Sequence, residues 1–134
     1  MPLPWTVPTS DGEAIGPSMA LCDAAAMLAA HANADAIVAV TRAGWTARLL
    51  SSRRPNVPVV AATDSEDVAR RLTLWRGVVP IVCPLNGEID AVVSRVLDET
   101  LARGVVPPGA LVVAVNSDRE LGATSANFVR LRRL

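Results

Sequence analysis

Asp35 to Val82 reads DAIVAVTRAGWTARLLSSRRPNVPVVAATDSEDVARRLTLWRGVVPIV, and this run sets the architecture. It holds three short apolar runs: AIVAVT from residue 36, VPVVAAT from residue 57, and VVPIV from residue 78. Continuous apolar runs of this length suit strands covered on both faces, as in a parallel sheet. Between them lie RAGWTARLLSSRR and SEDVARRLTLWRG, each long enough for one short helix. The first is expected to start near Thr46, and the second to be capped by Asp64, with Val68, Ala69 and Leu72 on its apolar face. Parallel strands need such crossovers.

Working outward, Ser18 is the expected N-cap of an Ala-rich helix, SMALCDAAAMLAAHANA, that ends near Asn33. Downstream, Ile89, Val92, Val93, Val96, Leu97 and Leu101 repeat with helical spacing, and Gly104 supplies a left-handed terminator. PPGALVVAVNS is a turn and a fourth strand. ANFVRLRRL, Ala126 to Leu134, alternates apolar and polar residues, as expected of a half-exposed antiparallel edge strand. The order α-β-α-β-α-β-α-β-β predicts an α/β three-layer sandwich on a mostly parallel sheet. Residues 1–17 carry four of the ten prolines and no period, so they are expected to form an extended arm before a single domain, 18–134.

Right-handed crossovers place the reversal of sheet growth between the first strand, 36–41, and the fourth, 111–116. Ligands of open α/β sheets sit at that switch point, beyond the strands' carboxyl ends. Two loops are expected to converge there, Thr41 to Thr46 and Asn116 to Ser125. The first contains Thr41, Arg42, Ala43, Gly44, Trp45 and Thr46, where a strand ends, a glycine turns and a helix starts. Amides at a helix N-terminus and the helix dipole favour an anion, and the hydroxyls and Arg42 or Arg48 add to this. The second offers Asn116, Ser117, Gly122 and Thr124. The bland alternative is that Thr41 and Thr46 only cap a turn and a helix. Trp45 either covers a ligand or packs on the first helix, and Trp75 is expected in core or interface.

Composition narrows the functions. Thirteen basic residues balance thirteen acidic ones, so a basic nucleic-acid surface is not expected. Every basic residue is Arg; without Lys there is no Schiff base and no P-loop lysine. No apolar run reaches a membrane span, and no signal-peptide pattern opens the chain, so a cytoplasmic protein is expected. Cys22 and Cys83 sit in apolar contexts and read as reduced, buried residues, with a disulfide as the alternative. His31 is the single histidine, and no metal-ligand spacing occurs. No metal, cofactor or catalytic residue is expected. A small enzyme using Asp118 or Glu120 as base on a phosphorylated metabolite remains a minor alternative.

The run from Ala36 to Val82 closely resembles the C-terminal domain of pyruvate kinase. There an apolar strand leads into T-x-S-G-x-[ST]-A, then R-P-x-x-P-I-x-A-x-T, then a segment ending G-V-x-P. ARGVVPPGALVVAV and GATSANFVRL resemble the later elements of that domain, so the likeness covers about residues 18–134. It implies a five-stranded mixed sheet with the last strand antiparallel. It also implies a non-catalytic regulatory role in glycolysis, since the active site of that family lies on a separate barrel domain. Many members bind a sugar phosphate, often fructose bisphosphate, in the loop that falls here on Thr41 to Thr46. Ala43 stands where the pattern has serine, and Trp45 where it is usually polar or basic; the loop from Asn116 lacks the threonine-glycine start. These departures point away from the bisphosphate, toward a monophosphate anion or no ligand. The resemblance further implies homo-oligomers formed through the Ala126–Leu134 edge strand, or association with a catalytic pyruvate kinase.

Overall fold

In a computed structural model, residues 16–116 and 127–134 of the chain are described. Nine elements follow in order: α1 (Pro17–His31), β1 (Ala36–Val40), α2 (Trp45–Ser52), β2 (Val59–Thr63), α3 (Glu66–Leu72), β3 (Val78–Val82), α4 (Ile89–Ala102), β4 (Leu111–Asn116) and β5 (Phe128–Arg133). The five strands form one sheet in the order β3-β2-β1-β4-β5. The first four are parallel and β5 runs antiparallel to β4, as the sequence predicts. Growth of the sheet reverses between β1 and β4, where Ile37 pairs with Val113 and Val40 with Asn116.

The pleat sorts the apolar runs into two cores. Ile37, Ala39, Val59, Val113 and Val115 face α1 and α2, packing on Cys22, Ala25, Ala29 and Leu50. Ala61 on that face meets Ala47, Val68 and Leu72, which joins α2 to α3. On the opposite face Val38, Val60, Ala62, Ile81, Val112 and Ala114 pack on Val92, Val93, Val96 and Leu97 of α4. The alanines of α1 let its axis approach the sheet closely, because Ala25 and Ala29 place only methyl groups between helix and strands. The cysteines lie one in each core, both buried and unpaired, so the sheet itself separates them.

Both outer strands tolerate their position for a reason written in their residues. Pro80 lies opposite Ala61 on the edge strand β3, where its missing N–H costs no ladder bond on the open side. In β5, Arg130 pairs with Asp90 of α4 at 2.7 Å and lies 3.9 Å from the Phe128 ring centroid, while Leu131 is exposed.

Two helix starts need correction. Ser18 does not cap α1: Gly16 is the cap residue and Pro17 occupies the first turn, leaving Ser18 buried inside the helix. Proline suits that turn because its φ is preset and its absent N–H would have had no helical partner. The same helix stops at His31, with Asn33 in the left-handed region at φ 54°. Asp64 does not cap α3; Ser65 does, its hydroxyl accepting the Val68 N–H at 3.3 Å. The proposed arm lies outside the described residues up to residue 15. No helix among the described residues is long and apolar enough to cross a membrane.

Candidate functional site

The carboxyl ends of β1 and β4 lie side by side, so Asn116 stands next to the strand end that leads into Thr41. Both are buried, at 3% and 6% exposure. The loop from β1 then turns sharply into α2. Gly44, at φ 91°, is the cap residue of α2, and its carbonyl accepts the Arg48 N–H at 3.0 Å. No side chain caps this helix, and its first turn holds no acidic residue. The turn therefore presents a positive helix end without an internal anion.

The Thr41 hydroxyl, however, is engaged locally. Thr41 Oγ1 accepts the Gly44 N–H at 3.0 Å, and the Thr41 N–H donates to the Ala62 carbonyl at 2.8 Å. Thr46 is buried, and its carbonyl lies 3.9 Å from Cys22 Sγ on α1. Thr41 thus performs the turn-capping role that the sequence left as an alternative. Arg42 and Ala43 are exposed on the loop, and Arg42 makes no ion pair among the described residues. Trp45 is half-buried. The remaining expected site residues, Ser117, Gly122 and Thr124, lie outside the described residues, as do Asp118 and Glu120. The arrangement brings together Thr41 to Thr46 and Asn116.

One residue escaped the sequence reading, and another is placed differently from expectation. Thr63, fully buried at the end of β2, donates from Oγ1 to the Arg42 carbonyl at 3.0 Å and accepts the Ser65 N–H at 3.3 Å. It braces the candidate loop against the start of α3. A threonine closing a strand just before Asp64–Ser65 was the only available signal. Trp75, expected in core or interface, is 38% exposed, and the Arg48 guanidinium lies 4.6 Å from its ring centroid. Arg48 and Trp75 are too far apart in sequence for any local pattern to pair them.

Gly44 is required twice over. Its φ is one that L-residues avoid, and a Cβ there would meet Leu72 Cδ2 at 3.0 Å. Gly44→Ala is therefore expected to lower stability by about 1–3 kcal/mol. Urea denaturation of the two proteins checks this; an unchanged midpoint would mean the loop adopts another conformation.

The described residues hold no cluster of three or more metal-ligating side chains. Burial of the Cys22 thiol raises its pKa to about 11, with Arg53 opposing and Asp23 adding to the shift. Cys83 is likewise raised by burial. Neither thiol is a thiolate nucleophile at neutral pH.

Comparison with known proteins places these elements. The family model described as pyruvate kinase, alpha/beta domain, matches residues 19–131. A pyruvate kinase of Clostridium acetobutylicum is 44% identical over 96 residues, covering 72% of this chain and 20% of that protein. One from Thermoplasma acidophilum is 36% identical over 108 residues, covering 81% and 20%. A crystal structure of a pyruvate kinase from Cryptosporidium parvum superposes with a TM-score of 0.78 at 27% identity, covering 90% of this chain and 23% of that one. The chain thus spans about a fifth of the length of such relatives.

Proposed function

Because the chain belongs to the pyruvate kinase alpha/beta domain family, we propose that it is a non-catalytic regulatory domain that binds a phosphorylated metabolite or phosphate anion in the β1–β4 crevice and mediates subunit assembly. The observation that carries this reading is the start of α2. It combines a glycine cap and no acidic residue in the first turn with an exposed Arg42 on the preceding loop. An incoming phosphate supplies the missing negative charge at that helix end. Asn116, on the neighbouring strand end, borders the same crevice. Ser117, Gly122 and Thr124 belong to the proposed site as its second loop. Its context is cytoplasmic and glycolytic, with a catalytic pyruvate kinase as the partner class.

Thermal unfolding with phosphate, fructose bisphosphate, ribose phosphate, glucose phosphate and nucleotides tests the ligand. A compound at tenfold its Kd stabilises the fold by about 1.4 kcal/mol, a readable shift in Tm. That shift is expected to disappear in Arg42→Ala and to shrink in Thr46→Ala. No shift with any compound would leave the loop as a capped turn.

A specific observation favours a second reading, assembly without ligand. The Thr41 hydroxyl is committed to the Gly44 amide, and β5 leaves one strand edge of the sheet open. An open edge accepts a strand from a second copy. Sedimentation of a concentrated sample as a monomer would count against it.

A further inference from the structure

A groove of about 220 Å³ lies between α2 and α3, on the β2 side of the candidate loop, and Ala43 and Gly44 of that loop form one of its walls. Val68 and Leu72 form an apolar floor, and Leu74 stands at the lip, 83% exposed. Arg48 of α2 and Arg71 of α3 flank it, with Trp75 alongside. The Arg48 guanidinium stacks 4.6 Å from the Trp75 ring centroid and 6.0 Å from that of Trp45. A guanidinium held against an indole keeps its in-plane N–H donors for hydrogen bonding, and such donors grip a carboxylate or phosphate with two bonds.

Neither arginine is neutralised. Among the described residues Arg48 has no ion pair, and Arg71 makes only a long 3.5 Å bond to the Asp67 carbonyl. The nearest carboxylate on α3, Asp67, is paired with Arg70. Arg53, Arg70, Arg103 and Arg130 are each paired with a carboxylate, whereas Arg48 and Arg71 share a cavity with an apolar floor and an accessible indole. The volume is below the ~300 Å³ at which drug-sized sites begin, which limits the occupant to a small metabolite.

We propose that the α2–α3 groove is a second binding surface, on the α3 side of the Thr41–Thr46 loop, for a small organic anion: a carboxylate or phosphate monoester carried on an apolar or aromatic body. The anionic group pairs with Arg48 and Arg71. The body lies on Val68, Leu72 and the Trp75 edge, so the anion alone binds less well than the anion with its body.

Titration of the intact chain with phenyl phosphate, benzoate and inorganic phosphate, followed by tryptophan fluorescence, tests this. Phenyl phosphate or benzoate is expected to give a saturable change, with inorganic phosphate about tenfold weaker or more. Arg48→Gln and Arg71→Gln are each expected to raise the apparent Kd by about tenfold or more, because each removes a charged hydrogen-bond donor. Arg42→Gln, at a residue that does not line the groove, is expected to cost less affinity than either groove substitution. Both groove arginines are exposed, so the variants are expected to melt with the parent; if one does not, the other decides. The proposal fails if no aromatic anion saturates below about 10 mM. It fails equally if affinity survives both groove substitutions, or if Arg42→Gln is the one that abolishes binding. That last result would assign the ligand to the crevice and so separate the two sites.

Discussion

Leu50→Ala is expected to remove about 3–5 kcal/mol of unfolding free energy, the largest loss foreseen for a single substitution in this chain. Leu50 is fully buried on α2, in the core formed with Ile37 and Val59 beneath and Cys22 and Ala25 beside it. Truncation leaves a cavity walled by sheet backbone and by alanines already at their smallest, so little can collapse into it. A domain of this size has roughly 5–15 kcal/mol in total, so the variant stands close to unfolding. Chemical denaturation reads the effect as a lower midpoint with an unchanged slope. A loss under about 1 kcal/mol would mean α2 is not anchored through this residue, and the geometry of the β1–α2 loop would need another support.

Alkaline pH is expected to destabilise the fold through one thiol. Cys22 ionises near 9 when exposed and near 11 in the folded protein, where burial outweighs the attraction of Arg53. Below pH 9 both states hold the proton and stability does not depend on it. Between pH 9 and 11 the unfolded chain gives up the proton while the folded one keeps it, so stability falls as pH rises. The loss reaches about 2–3 kcal/mol by pH 11, from two pKa units at 1.36 kcal/mol each. The composition makes this unusually clean. There is no Tyr and no Lys, and arginines do not titrate in this range, so the two thiols are the side chains that change charge there. Cys22→Ala is expected to flatten most of the decline and Cys83→Ala a smaller part, since burial of Cys83 acts in the same direction. Denaturation midpoints at pH 8.5, 9.5 and 10.5 decide it. A parent protein with level stability across that window, or a Cys22→Ala variant with the same decline, would show that the thiol is accessible in the folded state.

The apolar runs and their spacing carried most of the architecture. AIVAV, VVAAT and LVVAVN are legible as covered strands because a parallel strand buries both faces and tolerates few polar residues. The helix over Ile89–Ala102 is legible because six apolar residues share one face, and a left-handed glycine follows it at Gly104. The alternation in FVRLRR marks a strand with one solvated side, which is what an antiparallel edge requires. Helix starts were less legible. Gly16–Pro17–Ser18 and Asp64–Ser65 each offer two acceptable caps within a residue or two. The choice depends on which backbone angle the preceding chain delivers, and no side-chain pattern encodes that.

The candidate site divides along the same line. A strand–glycine–helix junction flanked by threonines announces an anion loop from one continuous segment, and the fold does set that loop beside the end of β4. Which groups remain available there is another matter. Thr41 turns inward to its own glycine amide, Thr63 reaches across from β2 to hold the Arg42 carbonyl, and Arg48 finds Trp75 from a different helix–strand junction. Local periodicity and turn chemistry act over a few residues, and so strand, helix and sheet order can be read along the chain. Hydrogen-bond partners, stacked rings and the groove between α2 and α3 arise between segments that meet only after the sheet has been assembled, and burial there determines which polar groups are consumed internally and which stay open to a ligand.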